Sequence, residues 1–197
     1  GLPAGTPVAA GGMDTACAAF AVGVDRPGRA FEVSGTSGGI GVCSDRPSDD
    51  LRLVVAPHLF EGVFINHAPL AAGGASLRWL KDTCCEAEQT LARSQGRSPY
   101  EVMEEQVAAL PDGPSGLLFL PHMAGERAPV WDPGSRGVFA GLTLQTSRAQ
   151  MTKAVMEGVA CALRQNVEIA RQAVLNVPRL RTCGGGSRSA VWTQLKA

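Results

Sequence analysis

Two runs of small residues, Gly35-Thr36-Ser37-Gly38 and Gly184-Gly185-Gly186-Ser187, are the parts of this chain best suited to hold phosphate and sugar oxygens. Turns of this composition leave backbone N–H groups uncovered, and such groups are ready donors to anionic oxygen. Ahead of both lies Gly11-Gly12-Met13-Asp14-Thr15, a carboxylate at the expected start of a helix beside two glycines that let a ligand come close. Carboxylates are ionised at neutral pH and can take the proton of an attacking hydroxyl. Together the three segments point to phosphoryl transfer from a nucleotide. Singly, each has a plainer reading. Asp14 suits a helix N-cap, GTSG suits a hairpin turn, and the glycine run is not G-x-G-x-x-G, so a dinucleotide fold is not supported.

The elements that must carry these segments can be read in order. Residues 5–10 read as a short strand leading to Gly11-Gly12, and Asp14 caps a helix over Ala16 to Val22. Arg29–Ser34 and Gly39–Ser44 form a β-hairpin around GTSG, followed by strands at Arg52–Ala56 and Val63–His67. Gly73-Gly74 opens a helical stretch through Leu77 and Leu80, extending toward Leu91. Ser98-Pro99 begins another helix, with serine as cap and proline at the first helical position. Gly116–Met123 and Gly137–Leu144 read as strands flanking an organised, proline-bearing loop. The clearest helix follows, capped by Thr146 or Ser147, with Met151, Val155, Val159 and Leu163 recurring every four residues to about Val174. Leu180–Cys183 is a last strand that delivers the glycine run to a helix near Ser187. Hairpins first, then strands alternating with helices, indicate an α/β domain: a mixed sheet flanked by helices.

Composition sets the outer bounds. The 197 residues carry 18 Lys and Arg against 18 Asp and Glu. That zero balance gives no sign of a nucleic-acid or anionic-membrane partner. No apolar stretch reaches 18 residues, and no basic segment followed by an apolar run opens the chain, so neither a transmembrane helix nor a signal peptide is expected. The cysteines at 17, 43, 84, 85, 161 and 183 form no C-x-x-C pair, and the three histidines, His58, His67 and His122, show no ligand spacing. Reduced, mostly buried thiols in a cytoplasmic protein, and no metal site built from this chain's His and Cys, are the expectation. The chain opens at Gly1 and closes a few residues into a helix, as a piece of a longer protein would.

The order and spacing of these parts resemble the FGGY carbohydrate kinases, the xylulokinase and gluconokinase group of the actin-like ATPase superfamily. The most specific stretch is Gly137-Val-Phe-Ala-Gly-Leu142, seven residues, then Gln150-Met151, Thr152-Lys153 and Ala154-Val-Met-Glu157. Before it, Phe119-Leu-Pro-His-Met-Ala-Gly-Glu-Arg-Ala-Pro129 with Trp131-Asp132-Pro133 and Arg136-Gly137 resembles the family's LPY-x-x-GER-x-P-x-WDP-x-x-RG loop, His122 replacing tyrosine. Ser187 stands where alanine is common.

The resemblance implies a ribonuclease H-like, actin-like fold, with residues 1–23 ending a sugar-binding domain and 24–197 forming a nucleotide-binding C-terminal domain truncated at its far end. It implies that Asp14 is the catalytic base, that Gly35, Thr36, Ser37 and Gly38 meet the phosphates of ATP, and that Gly184, Gly185, Gly186 and Ser187 meet adenosine. Glu157 is expected near the buried face of the long helix, and Glu126 with Arg127 as an ion pair or loop brace. Its partners would be ATP, Mg2+ (held mostly outside this chain) and a sugar, with D-xylulose leading and gluconate, ribulose or another polyol as alternatives. A homodimer is allowed. This piece alone is expected to be inactive. A non-catalytic ATP-binding module of the superfamily is the rival class.

Overall fold

The computed structural model describes residues 1–8 and 11–197, and its elements can be derived from local sequence. Helix α1 (Asp14–Ala21) is followed by the hairpin strands β1 (Ala30–Ser34) and β2 (Gly38–Ser44). Strands β3 (Val54–Pro57) and β4 (Phe64–Leu70) come next, then helices α2 (Gly73–Cys84), α3 (Glu86–Gln95) and α4 (Pro99–Ala108). Short strands β5 (Leu118–Leu120) and β6 (Val138–Ala140) precede the long helix α5 (Arg148–Gln172). Strand β7 (Leu180–Cys183), a 3₁₀ turn over Gly185–Arg188 and helix α6 (Ala190–Lys196) complete the chain.

The sheet has the order β3-β4-β2-β1-β7. Its first four strands are antiparallel neighbours, and β7 joins β1 in parallel, with Glu32 opposite Thr182. It is therefore a mixed sheet. Every residue of β2 is buried, because apolar groups cover both faces. On one face, Ala16 and Ala19 of α1 join Val24, Phe31, Cys43 and Ile65. On the other, Ile40, Val42, Ala68 and Leu70 meet Leu77 and Leu80 of α2 and Val155, Val159 and Leu163 of α5. Buried Asn166 of α5 donates to the Ala68 carbonyl at 3.2 Å, joining the helix to β4 inside that face.

The two clearest helix starts are capped as their sequences predict. Ser98 and Glu101 form a reciprocal capping box on α4, with Pro99 at the first position. Ser147 and Gln150 do the same for α5. Several expectations need correction. Residues 5–8 form no strand, and residues 9–10 lie outside the described residues. Asp14 is the first helical residue, not the cap: Met13 precedes it, and the Asp14 carboxylate accepts the Thr15 N–H at 2.7 Å. The helical stretch from Gly73 breaks at Cys85 into α2 and α3. The strands around 116–123 and 137–144 shrink to three residues each, because the flanking backbone turns away into the loop. Only Cys43 and Cys85 are buried; Cys84 and Cys183 are half-buried, and Cys17 and Cys161 are exposed. Burial pushes the Cys43 and Cys85 thiols up to about 11, which leaves them unreactive at neutral pH. Among the described residues no helix is long and apolar enough to cross a membrane.

Helix α5 is held against β5 by a glycine. A Cβ on Gly158 would overlap the Phe119 carbonyl oxygen and crowd the Phe119 side chain at 3.3 Å. A backbone atom in a strand cannot step aside as a side-chain end can. Gly158→Ala should therefore destabilise the chain by about 1–3 kcal/mol, read as a lowered urea midpoint. An unchanged midpoint would show that α5 and β5 are not in register as described.

Candidate nucleotide cleft

The hairpin turn is shaped by the helix behind it. Ser34 pairs with Gly38, so Gly35, Thr36 and Ser37 form the loop. The carbonyls of Gly35 and Thr36 accept the N–H groups of Gly74 and Ala75, each at 2.9 Å. Those amides are orphan donors of the first turn of α2, whose N-cap, Ala72, has no side chain able to serve them. The turn thus caps the helix. A trans peptide sets its N–H opposite its C=O. With both carbonyls directed onto α2, the Thr36 and Ser37 N–H groups face the other way, away from the helix.

The second turn is delivered by β7 beside β1. Gly184 has φ +90°, and a Cβ there would stand 2.7 Å from the Ser34 carbonyl oxygen. Gly186 rests on the Ser34 side chain, at 2.9 Å from its Cβ by the same construction. Glycine is required at both positions, at the first by φ and at both by close approach. Nothing lies within 4 Å of a Cβ built on Gly185, so that residue opens onto free space. Ser187 turns inward locally, its hydroxyl donating to the Gly184 carbonyl at 2.7 Å.

Between the turns lies a cavity of about 610 Å³. Gly35 and Thr36 form one wall and Gly185 and Gly186 another, while Ser37, Gly38, Gly184 and Ser187 belong to the same turns without lining it. Leu77, Met156 and Trp192 give it an apolar side, and Arg78, Glu101, Glu104 and Arg188 give it charged groups. Trp192 is buried, and its indole N–H donates to the Met156 carbonyl at 3.1 Å. The size and the mixture of apolar wall with few polar groups suit a small-molecule ligand.

Asp14 does not line this cavity. It is exposed at the start of α1, and its charge acts on His67 of β4. His67 lies against the hairpin: a Cβ on Gly39, the residue after the turn, would stand 2.8 Å from His67 Nε2. Among the described residues, Asp14 is thus linked to the hairpin only through the charge felt at His67, while the GGGS turn lies beside Ser34 and Gly35. The expected Glu126–Arg127 ion pair is a brace of a different kind. Buried Glu126 accepts the backbone N–H of Arg127 at 2.7 Å and of Ala71 at 3.1 Å, and its side-chain partner is His122 Nδ1 at 2.8 Å. That contact accounts for histidine at position 122. Glu157 is half-buried and accepts the hydroxyl and N–H of Ser115 at 2.7 and 3.2 Å.

Sequence reasoning missed the walls supplied by Arg78, Tyr100, Glu104 and Trp192. It read Ser98-Pro99 as a helix start without placing that start at the cleft. The one usable signal was Gly73-Gly74, two glycines where a helix needs none.

Two predictions follow from this geometry. A Cβ on Gly74 would stand 2.6 Å from the Gly35 carbonyl oxygen. Gly74→Ala should push the turn outward and weaken nucleotide binding by roughly 10-fold, about 1.4 kcal/mol, with unchanged affinity counting against the shared cap. The second concerns pH. Burial, then the charge of Arg127, push His67 from 6.5 down to about 4, and Asp14 opposes them in part. The folded state resists a proton that the unfolded chain accepts. The stability contribution of neutral His67 is thus complete above pH 6.5 and is lost as pH falls toward 4. The urea midpoint of the parent should fall across that window, and His67→Gln should flatten the slope; parallel profiles would show that His67 is not proton-resistant.

Residues 30–197 match the model of the FGGY family of carbohydrate kinases, C-terminal domain. A gluconokinase of Bacillus licheniformis is 34% identical over 200 residues, covering 100% of this chain and 39% of that protein. A xylulose kinase of Staphylococcus epidermidis is 35% identical over 199 residues, with 100% and 38% covered. The chain thus spans about two fifths of the length of these curated relatives. Among solved structures, the xylulose kinase of Rhodospirillum rubrum superposes with a TM-score of 0.81 at 33% identity, covering 100% of this chain and 38% of that one. The Plasmodium falciparum glycerol kinase with ADP, at 18% identity, TM-score 0.76 and 93% and 36% coverage, shares the fold alone. That fold is the actin-like ATPase fold, as the mixed sheet between helices leads one to expect. The chain belongs to the FGGY family of carbohydrate kinases and carries its C-terminal domain.

Proposed function

We propose that this chain is the nucleotide-binding part of an ATP-dependent sugar kinase, and that residues 1–23 are the end of a sugar-binding domain which residues 24–197 follow. The observation that carries the reading is the convergence of two glycine turns, far apart in sequence, on one cleft. In this reading ATP lies across the cleft. The backbone N–H groups at Gly35, Thr36, Ser37 and Gly38 meet its terminal phosphates, and Gly184, Gly185, Gly186 and Ser187 border its adenosine. Negative charge develops on the phosphate oxygens during transfer, and fixed N–H donors stabilise it without rearranging.

Magnesium enters with the nucleotide as part of the substrate, Mg-ATP. Among the described residues no three His, Cys, Asp or Glu side chains converge in a way that could hold a metal ion.

Asp14 is the base. It takes the proton of a sugar hydroxyl as the hydroxyl oxygen forms a bond to the γ-phosphorus and the bond to the ADP oxygen breaks. In support of this, the Asp14 charge is felt at His67, whose ring lies against Gly39, the residue after the GTSG turn. D-xylulose is the leading acceptor, with D-gluconate the alternative; relatives carrying the names xylulose kinase and gluconokinase stand at 35% and 34% identity. Six free cysteines fit a reducing, cytoplasmic setting.

The test is ATP-dependent phosphorylation of a sugar panel led by D-xylulose and D-gluconate. It uses this domain within a polypeptide of the relatives' length, the Asp14→Ala variant of that polypeptide, and the 197-residue chain. One sugar should be phosphorylated, the variant should lose about 10²-fold or more in rate, and the short chain should be silent. ATP hydrolysis with no sugar accepted would instead place the protein among non-kinase ATPases of the fold.

A further inference from the structure

Beneath the two turns lies a charged group that no helix or strand requires. Glu32 of β1 is 3% exposed. A carboxylate so deep is stable only when its charge is paired and its oxygens are bonded. Here both conditions hold. The hydroxyls of Ser34 and Thr182 donate to Glu32, and Lys196 Nζ lies 3.1 Å from each carboxylate oxygen. Lys196 also donates to Ser34 Oγ at 2.8 Å.

The positions of these partners are informative. Ser34 is the last residue of β1 and leads directly into Gly35. Thr182 stands opposite Glu32 on β7, two residues before Gly184. Each turn is therefore entered through a hydroxyl tied to the same carboxylate. Lys196 comes from α6, the helix that follows the second turn, and its Nζ lies 5.6 Å from the centre of the Trp192 ring on the cavity wall. Moving either turn away from the other breaks a buried hydrogen bond to a charged group, which is among the stronger bonds available to a protein.

We infer that the Glu32–Ser34–Thr182–Lys196 group is a positioning device that fixes the separation of the two turns, so that the chain favours ligands long enough to reach both. Such ligands are nucleoside di- and triphosphates; a bare nucleoside reaches only the GGGS turn. This rests on the nucleotide reading above. A ligand engaging two linked sites gains from their geometry, and loses that gain when the spacing becomes loose. Glu32 and Lys196 do not touch the reacting atoms in this scheme and act through the turns.

The experiment is titration of the 197-residue chain with ATP, ADP and adenosine, followed by calorimetry and by tryptophan fluorescence. Lys196→Met should weaken ATP and ADP by about 10-fold while adenosine changes by less than about 2-fold. Lys196→Arg, which keeps the charge, should recover most of the loss. Because Lys196→Met leaves a buried carboxylate unpaired and could unfold the chain, the double variant Glu32→Gln with Lys196→Met is measured beside it. It removes both charges and should show the same selective loss with a melting temperature near the parent's. If the folded variants lose ATP and adenosine equally, or lose neither, the group is structural only and the inference is overturned. If the parent itself binds none of the three ligands, the nucleotide reading fails first and the inference with it; a parent that binds all three separates the two failures.

Discussion

Two backbone hydrogen bonds, from Gly74 and Ala75 to the carbonyls of Gly35 and Thr36, govern the shape of the cleft. They solve two problems at once. The first turn of α2 has donors without partners, and the hairpin loop has carbonyls that would otherwise point at solvent or ligand. Pairing them fixes which side of the loop faces outward. Everything near this joint is small because the backbones must approach closely: a Cβ on Gly73 would come 3.3 Å from the Gly38 nitrogen. The core beneath reinforces it. Leu70 at the end of β4 and Leu77 and Leu80 of α2 belong to the same apolar cluster as Ile40 of β2, so the helix cannot retreat from the hairpin without opening that cluster.

Much of the fold was legible because its signals are local. Ser98-Pro99 and Ser147 with Gln150 mark helix starts by side chains that serve nearby amides. The apolar recurrence from Met151 to Leu163 gives the buried face of α5 directly. The GTSG hairpin and the strand before the glycine run are equally local. Failures came where the cause is distant. Gly73-Gly74 marks the start of α2, but its partner is the loop after β1. Cys85 ends α2 although the apolar pattern continues. The three-residue lengths of β5 and β6 are set by the flanking loop.

The buried charges were the least legible part of the site. In sequence, Glu32, Glu88, Glu126 and Lys153 look like ordinary surface residues, and Glu126 alone was given a bracing role. Each is in fact buried and bonded to a distant part of the chain. Glu88 pairs with Arg148 at 2.9 Å, tying α3 to the start of α5. Lys153 donates to the Pro111 carbonyl at 3.3 Å, holding the link after α4. Glu126 fastens the 124–136 loop to the end of β4, where the Ala128 N–H also reaches the Pro69 carbonyl at 3.0 Å. A solvent-facing glutamate and a buried, paired one have the same neighbours in sequence; only the fold distinguishes them.

The two sides of the sheet are held unequally, and that bears on how the proposed reaction divides between them. The cleft rests on the larger apolar cluster, with helices α2, α4, α5 and α6 around it. Helix α1, which carries Asp14, is fixed by a smaller set: Ala16, Ala19, Val24, Phe31, Cys43 and Ile65. Phosphates need fixed donors, since stabilisation is strongest when the dipoles do not reorganise. A base needs less rigidity but must be shielded, because water competes with the sugar as acceptor. Asp14 is exposed, and among the described residues only its neighbour Thr15 donates to it. On the proposed kinase reading, a firmly packed cleft thus stands beside an exposed carboxylate, and the shielding a base needs is not supplied by the described residues around the start of α1.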